Sequence, residues 1–368
     1  MDCTIKHTKT GILFLAILGL WLGLEACQKD SPITEPDAGN PAYELSYQNL
    51  SDPDIPADNP LTVEGVKLGR LLFYEKMLSG DGTQSCADCH RQSNAFSDTA
   101  RFSTGIAGMQ GKRQAMAVFN MLWNSNGFFW DGRASLLRHQ ALLPIQDPLE
   151  MNESLSNVVN KLSNSSLYPT QFEKAFGSRE ITETLISLAL EQFMNSITSS
   201  SSKYDDYLQG KQSLSASEER GRKLFFAEYN PFFPEESGAD CAHCHSGNNF
   251  ENDLYMNNGL DTFFTGMDIG HQKVTNNAND RSRFKVTSLR NIELTQPYMH
   301  DGRFQTLEEV IDHYNSGLFD SPTLDPALKN TLGTGLMLDV QDKADLIAFL
   351  KTLTDTKLIS NPAYANPH

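Results

Sequence analysis

Cys86-Ala87-Asp88-Cys89-His90 and Cys241-Ala242-His243-Cys244-His245 are two copies of one pentapeptide, Cys-x-x-Cys-His, and their reading decides the fold. The spacing is that of covalent c-type haem attachment. Two thiols add to the porphyrin vinyl groups while the adjacent imidazole reaches the iron, so all five residues must fall within one short turn. The rival readings are a structural zinc site and a disulfide pair. Zinc would have to draw four ligands from two distant Cys-x-x-Cys pairs. Neither rival accounts for a His after each second Cys.

Working outward from the motifs, each copy sits in a repeated context. Gly69-Arg70-Leu71-Leu72-Phe73-Tyr74 precedes the first motif, and Gly221-Arg222-Lys223-Leu224-Phe225-Phe226 precedes the second. Beyond the motifs, Arg113 to Asn120 and Trp130-Asp131-Gly132-Arg133 are echoed by Phe284 to Asn291 and His300-Asp301-Gly302-Arg303. A haem-binding unit therefore occurs twice. Apolar spacing predicts a helix over 62–78, stopped by Gly80-Asp81-Gly82, a second through Leu136, Leu137 and Gln140 ending at Pro144, and a third over 181–197. Ser215-x-x-Glu218 is a capping box that opens a helix through Phe226, and Asp339 caps a last helix. Residues 91–111 read as a polar loop around the haem edge, and 246–280 as an insertion peculiar to the second copy. The expected fold is mainly α, two tandem cytochrome c-like haem domains with long loops. Residues 60–200 form the N-terminal domain and 215–357 the C-terminal one, with a polar linker up to Leu214.

The composition agrees. A chain of 368 residues, 39% hydrophobic and 21% charged, is an ordinary globular protein long enough for two cores. Its net charge of -16 disfavours nucleic acid and anionic lipid as partners and favours a basic redox protein. Lys6, Lys9 and the apolar run from Gly11 to Leu24 read as an export signal over 1–26, too short to span a bilayer as a permanent helix. Leu24-Glu25-Ala26-Cys27-Gln28 resembles a bacterial lipoprotein box with an unusual Glu25. Cys27 would then carry lipid, and residues 27–59 would tether the body to a membrane facing the periplasm. Cys3 leaves with the leader and four cysteines serve haem, so none remains for a disulfide.

Function turns on the sixth position of each iron, because a filled one suits electron transfer and an open one admits peroxide. Tyr314 stands thirteen residues after Asp301, and its phenol can ligate iron; Pro144 stands thirteen after Asp131 and cannot. Tyr314 is alternatively a core tyrosine, and Met299 and Met337 are rival ligands. On the open side, Gln140 and Glu150 flank Pro144. A Glu beside an apolar haem face has its pKa raised and can serve as acid and base, whereas a solvent-facing Glu has no such role. His139 is a competing ligand there, and Trp130 reads as core aromatic or electron relay.

These residues resemble the bacterial di-haem cytochrome c peroxidases and their MauG-type relatives over about residues 45–357. The motifs that carry the resemblance are both haem pentapeptides, Phe129-Trp130-Asp131-Gly132-Arg133-Ala134, Gln140-x3-Pro144-x5-Glu150-Met151, and Leu294-Thr295-Gln296-Pro297-Tyr298-Met299-His300-Asp301-Gly302-Arg303. The resemblance implies a peroxide site at the first haem, with Gln140, Pro144 and Glu150 distal to it, and Trp130 between the haems. It implies an electron-entry haem at His245 and a calcium ion held by backbone carbonyls of Thr295 and Pro297, although Gln114 stands where the family has Asn. The family's peroxidases that need reductive activation carry a His in the loop after the first motif. Residues 91–111 contain none, which implies an open resting site. Tyr314 instead of Met is the MauG-branch choice.

The expected activity is reduction of hydrogen peroxide to water, with two covalent haem c groups and a small cytochrome c or cupredoxin as donor. The alternatives are MauG-like oxidation of a protein partner, a non-catalytic di-haem electron carrier, and a haem-based sensor.

Overall fold

The computed structural model describes residues 39–262 and 266–368. Those residues are mainly helical, and the one two-stranded sheet pairs Tyr255–Met256 with Phe284–Lys285 in antiparallel register. Among them no helix is long and apolar enough to cross a membrane. The leader and Cys27 lie outside the described residues.

Two cores form, each around a crossed helix pair. In the first, Val63–Phe73, capped by Thr62, packs on Glu183–Ser196. The crossing is close because Gly69 lies on the Ala189 carbonyl, where a Cβ would stand 1.9 Å from the oxygen. Phe73 meets Phe193 edge-on at 5.3 Å. In the second, Ala216–Phe226 packs on Val340–Lys351, Gly221 lies on the Asp345 carbonyl, and Phe225 meets Phe349 at 5.2 Å. Both expected caps are present, the Ser215–Glu218 box and Asp339. Burying each of these phenylalanines contributes about 1.5–3 kcal/mol, so the same Gly-and-Phe pattern supports both pairs.

The internal repeat extends through the loops. Asn120 and Asn291 both adopt left-handed backbone ahead of a 3-10 turn, at Met121–Trp123 and Ile292–Leu294. Phe128 bridges Ala134 as Tyr298 bridges Phe304. Helices Leu137–Gln146 and Leu307–Ser316 then follow at the same distance, each 10 residues long. Pro144 and Tyr314 occupy equivalent positions in them.

Several segments differ from the sequence expectation. The helix expected over 62–78 ends at Phe73, and a 3-10 turn covers Lys76–Leu78. Helices Leu155–Ser163 and Tyr168–Phe176 complete the first core. Residues 40–59, assigned to a flexible tether, are docked on that core. Tyr43 donates to the Leu61 carbonyl, Asn59 donates to Glu191 at 2.7 Å, and the Trp123 indole donates to the Ser51 carbonyl at 2.9 Å. The linker before Leu214 likewise contains the helix Lys203–Leu208. Its Asp205 is buried against Arg290, with oxygen-to-nitrogen distances of 2.8 and 2.9 Å.

That ion pair belongs to a seam between the repeats. Asn120 donates to the Ser199 carbonyl and Asn291 to the Ser199 hydroxyl, so the two equivalent asparagines converge on one residue. The chain end returns across the seam as well. Tyr364 donates to the Ser196 carbonyl at 3.0 Å, and Gln92 donates to the carbonyls of Leu358 and Asn361.

Candidate functional site

Cys86–Cys89 forms a single helical turn opened by a Ser85–Asp88 capping box. That turn brings both thiols and His90 to one place, as the spacing requires. None of the four motif cysteines is in a disulfide, and burial pushes the Cys86 thiol up to about 12 and the Cys89 thiol up to about 11.

Both motif histidines are oriented in one way. His90 Nδ1 lies 3.1 Å from the Phe96 carbonyl, and His245 Nδ1 lies 3.1 Å from the Phe250 carbonyl. A proton on Nδ1, donated to that carbonyl, is the tautomer that would leave Nε2 for a metal. Burial lowers both imidazole pKa values, His245 to about 4, which favours the neutral form that metal ligation needs. Both Phe carbonyls were invisible in the sequence, because the contact depends on where the following loop turns back.

His245 faces a cavity of about 280 Å³ whose wall includes Cys241, Cys244, Met299 and Tyr314. Trp130 and Gln114 of the first repeat, and Thr295 and Pro297, also line it. The Trp130 indole donates to the Gln114 carbonyl at 2.8 Å, which fixes the ring at the wall. Two cysteines outside any disulfide, a buried imidazole and a mostly apolar cavity fit an iron porphyrin. Met337 is 38% exposed and does not line this cavity.

At the first motif, Glu150 stands within electrostatic reach of Cys86 and Cys89. Burial, helped by Asp147 and opposed by Arg133, pushes its carboxyl up to about 6. The turn after the helix Leu137–Gln146 places it. Glu150 N donates to the Asp147 carbonyl at 2.9 Å and Met151 N to the Pro144 carbonyl at 3.2 Å. Gln140 and Pro144 are half-buried on that helix, and His139 is exposed.

The loop 91–111 grips Glu150 from the other side. Ile106 N donates to the Glu150 carbonyl at 2.9 Å, and Gly105 lies so close that a Cβ would stand 2.1 Å from the Leu149 carbonyl and 2.5 Å from that of Glu150. Sequence reading missed this clamp, since nothing in Thr104-Gly105-Ile106 announces a partner so far along the chain. Gly105→Ala is expected to destabilise the protein by about 1–3 kcal/mol through backbone overpacking, which thermal unfolding of wild type and variant checks.

The thioether of Met299 and the phenol of Tyr314 share a neighbour in the insertion. Asn258 Nδ2 lies 3.3 Å from Met299 Sδ and 3.4 Å from Tyr314 Oη. Burial pushes the Tyr314 phenol upward, and the Asn258 amide opposes that shift.

Comparisons with known proteins agree with this geometry. The family model described as di-haem cytochrome c peroxidase matches residues 63–213. The methylamine utilization protein MauG of Methylorubrum extorquens is 36% identical over 302 residues, 81% of this chain and 80% of that protein. The cytochrome c551 peroxidase of Nitrosomonas europaea is 33% identical over 303 residues, 82% and 83% of the two chains. Among solved structures, a MauG-like protein associated with microbial copper homeostasis superposes with a TM-score of 0.78 at 34% identity, covering 89% of this chain and 99% of the other. Two equivalent Cys-x-x-Cys-His turns, two His rings oriented alike and likenesses over about four fifths of each chain have one source: the chain belongs to the di-haem cytochrome c peroxidase family.

Proposed function

We propose that the protein is a di-haem c-type peroxidase with one catalytic and one electron-transfer haem domain. Haem c is attached at Cys86 and Cys89 with His90 as proximal ligand, and at Cys241 and Cys244 with His245. The observation that carries the reading is asymmetry between equivalent positions. At equivalent helix positions the second repeat carries Tyr314, which lines the cavity of His245, and the first carries Pro144, six residues before Glu150.

Bound haem would supply the redox chemistry and the place where hydrogen peroxide reacts. Glu150 accepts the proton of the inner peroxide oxygen and returns it to the outer one, which leaves as water. Gln140 and Pro144 line the distal side, Gln140 as a hydrogen-bonding group and Pro144 as a side chain that cannot ligate. Trp130 relays electrons from the second domain. Two electrons and two protons convert one peroxide to two waters. The electrons come from a small basic cytochrome c or cupredoxin, matching the net charge of -16.

A calcium ion held by the carbonyls of Thr295 and Pro297 belongs to this reading. The buried Gln296 Oε1 beside them has no hydrogen-bond partner, as an oxygen reserved for a cation would. The protein is placed in the periplasm, anchored through lipid on Cys27. A second reading, MauG-like oxidation of side chains on a protein partner, is favoured by Tyr314 in place of Met.

Holoprotein mixed with an ascorbate-reduced small cytochrome c and hydrogen peroxide tests the first reading. Two ferrocytochromes are expected to be oxidised per peroxide, and absence of peroxide-dependent oxidation would refute it. The pH dependence follows from Glu150. Its carboxylate is the proton acceptor, so the rate constant for peroxide is expected to fall as pH drops through about 6 and to level off above.

A further inference from the structure

The second repeat carries two ligand-capable side chains where the first carries none. Met299 and Tyr314 are the counterparts of Phe129 and Pro144, and both line the cavity that His245 faces. Closure of the second site by one of these two would be through a phenolate or a thioether. That choice sets the reduction potential, since a thioether raises it.

Asn258 stands between the two candidates, 3.4 Å from the phenol oxygen and 3.3 Å from the sulfur. It belongs to the insertion that the first repeat lacks, so it has no counterpart in that repeat. Its position is fixed through its own backbone, because the Asn258 carbonyl accepts a hydrogen bond from His313 Nε2 at 2.9 Å. His313 is buried and directly precedes Tyr314, so one helix turn holds the ligand candidate and its amide neighbour in register. The flanking residues are pinned too. Asn257 is buried and donates to Ser321 and Thr323, and Gly259 turns the chain at a φ of 70°.

We propose that Asn258 is the positioning residue that selects Tyr314 over Met299 as the sixth ligand of the second haem. A ligating phenolate is anionic and accepts a charge-assisted hydrogen bond, roughly twice as strong as a neutral one. A thioether is neutral and a weak acceptor. The same amide therefore stabilises the phenolate-bound form more than the thioether-bound one. Without it the buried phenolate keeps its charge and loses its donor, and the balance moves towards sulfur. This rests on the proposal that a protein side chain closes the second site.

The test compares ferric holoprotein of wild type, Tyr314→Phe, Asn258→Leu, Asn258→Asp and the double variant Asn258→Leu/Met299→Leu. The readouts are the low-spin electron paramagnetic resonance signal, the sulfur-to-iron charge-transfer band and the midpoint potential of the second haem. Asn258→Leu is expected to lose the wild-type low-spin signal, gain the sulfur band and rise in potential. Met299→Leu in the same chain is expected to abolish that band. Asn258→Asp keeps the size and the backbone contact with His313 while removing the donor, so it is expected to shift in the same direction. If Tyr314→Phe changes the low-spin signal and both Asn258 variants keep the wild-type signal and potential, the selection by Asn258 is refuted while phenolate ligation stands. If Tyr314→Phe leaves the signal unchanged, phenolate ligation itself fails, and the proposal with it.

Discussion

Glu150→Gln is expected to slow the reaction of the holoprotein with hydrogen peroxide by about 10²–10⁴-fold, the usual effect of losing a general acid–base. The amide keeps the size of the carboxyl group and the backbone contacts to Ile106 and Asp147, so folding and haem attachment are expected to be unchanged. What it cannot do is take a proton from one oxygen and return it to the other. The variant is also expected to lose the fall in rate below pH about 6, because the group that titrates there is gone. Stopped-flow mixing with peroxide across pH, on wild type and variant at equal haem content, measures both effects.

Arg290→Leu is expected to cost about 3–5 kcal/mol of stability, the range for breaking a buried ion pair by removing one partner. Arg290 and Asp205 are each 1% exposed in their side chains. The substitution leaves the Asp205 carboxylate inside the protein with only Ser202 and Asn49 as hydrogen-bonding neighbours, and it deprives the Asn248 carbonyl of a donor. Burial alone would raise the Asp205 pKa, and the Arg290 hydrogen bonds overcome this and hold it below its ordinary value. The pair's contribution is therefore present above the unfolded Asp value near 3.8 and is lost as pH falls below it. Denaturant unfolding of wild type and variant at neutral and acid pH is expected to show a gap that narrows on acidification.

What could be read in the sequence follows from the range of the interactions. Cys-x-x-Cys-His is a local pattern, and so are the Ser215–Glu218 box, the Asp339 cap and the apolar stripe of Glu183–Ser196, all of which appear where expected. The repeat was legible because its marks, Gly69 with Gly221 and Asp131 with Asp301, serve the same backbone geometry twice. The docking of residues 40–59 was not. A stretch rich in Pro, Asp and Asn reads as linker, and only the distant acceptors Leu61, Leu188 and Glu191 make it part of the body. Leu155–Ser163 and Tyr168–Phe176 are short and mostly polar, with Val158, Leu162, Tyr168 and Phe172 buried by the neighbours they meet.

At the candidate site the same division holds. The sequence could nominate Glu150 and Tyr314, yet the features that give them chemical character lie far away in the chain. Gly105 presses on Glu150 from 45 positions earlier, and Asn258 reaches Tyr314 from 56 positions earlier. Met337 shows the converse. Its residue type made it a ligand candidate, and its exposed position away from the cavity wall leaves Met299 as the sulfur within reach of Asn258.

The central claim is that the two haems differ, one accessible to an oxidant and one closed by protein. Electron paramagnetic resonance of the ferric holoprotein, before and after one equivalent of hydrogen peroxide, tests it most directly. The account predicts one high-spin and one low-spin signal of equal weight, with the high-spin signal lost on addition of peroxide. Two low-spin signals that peroxide leaves unmoved would contradict it.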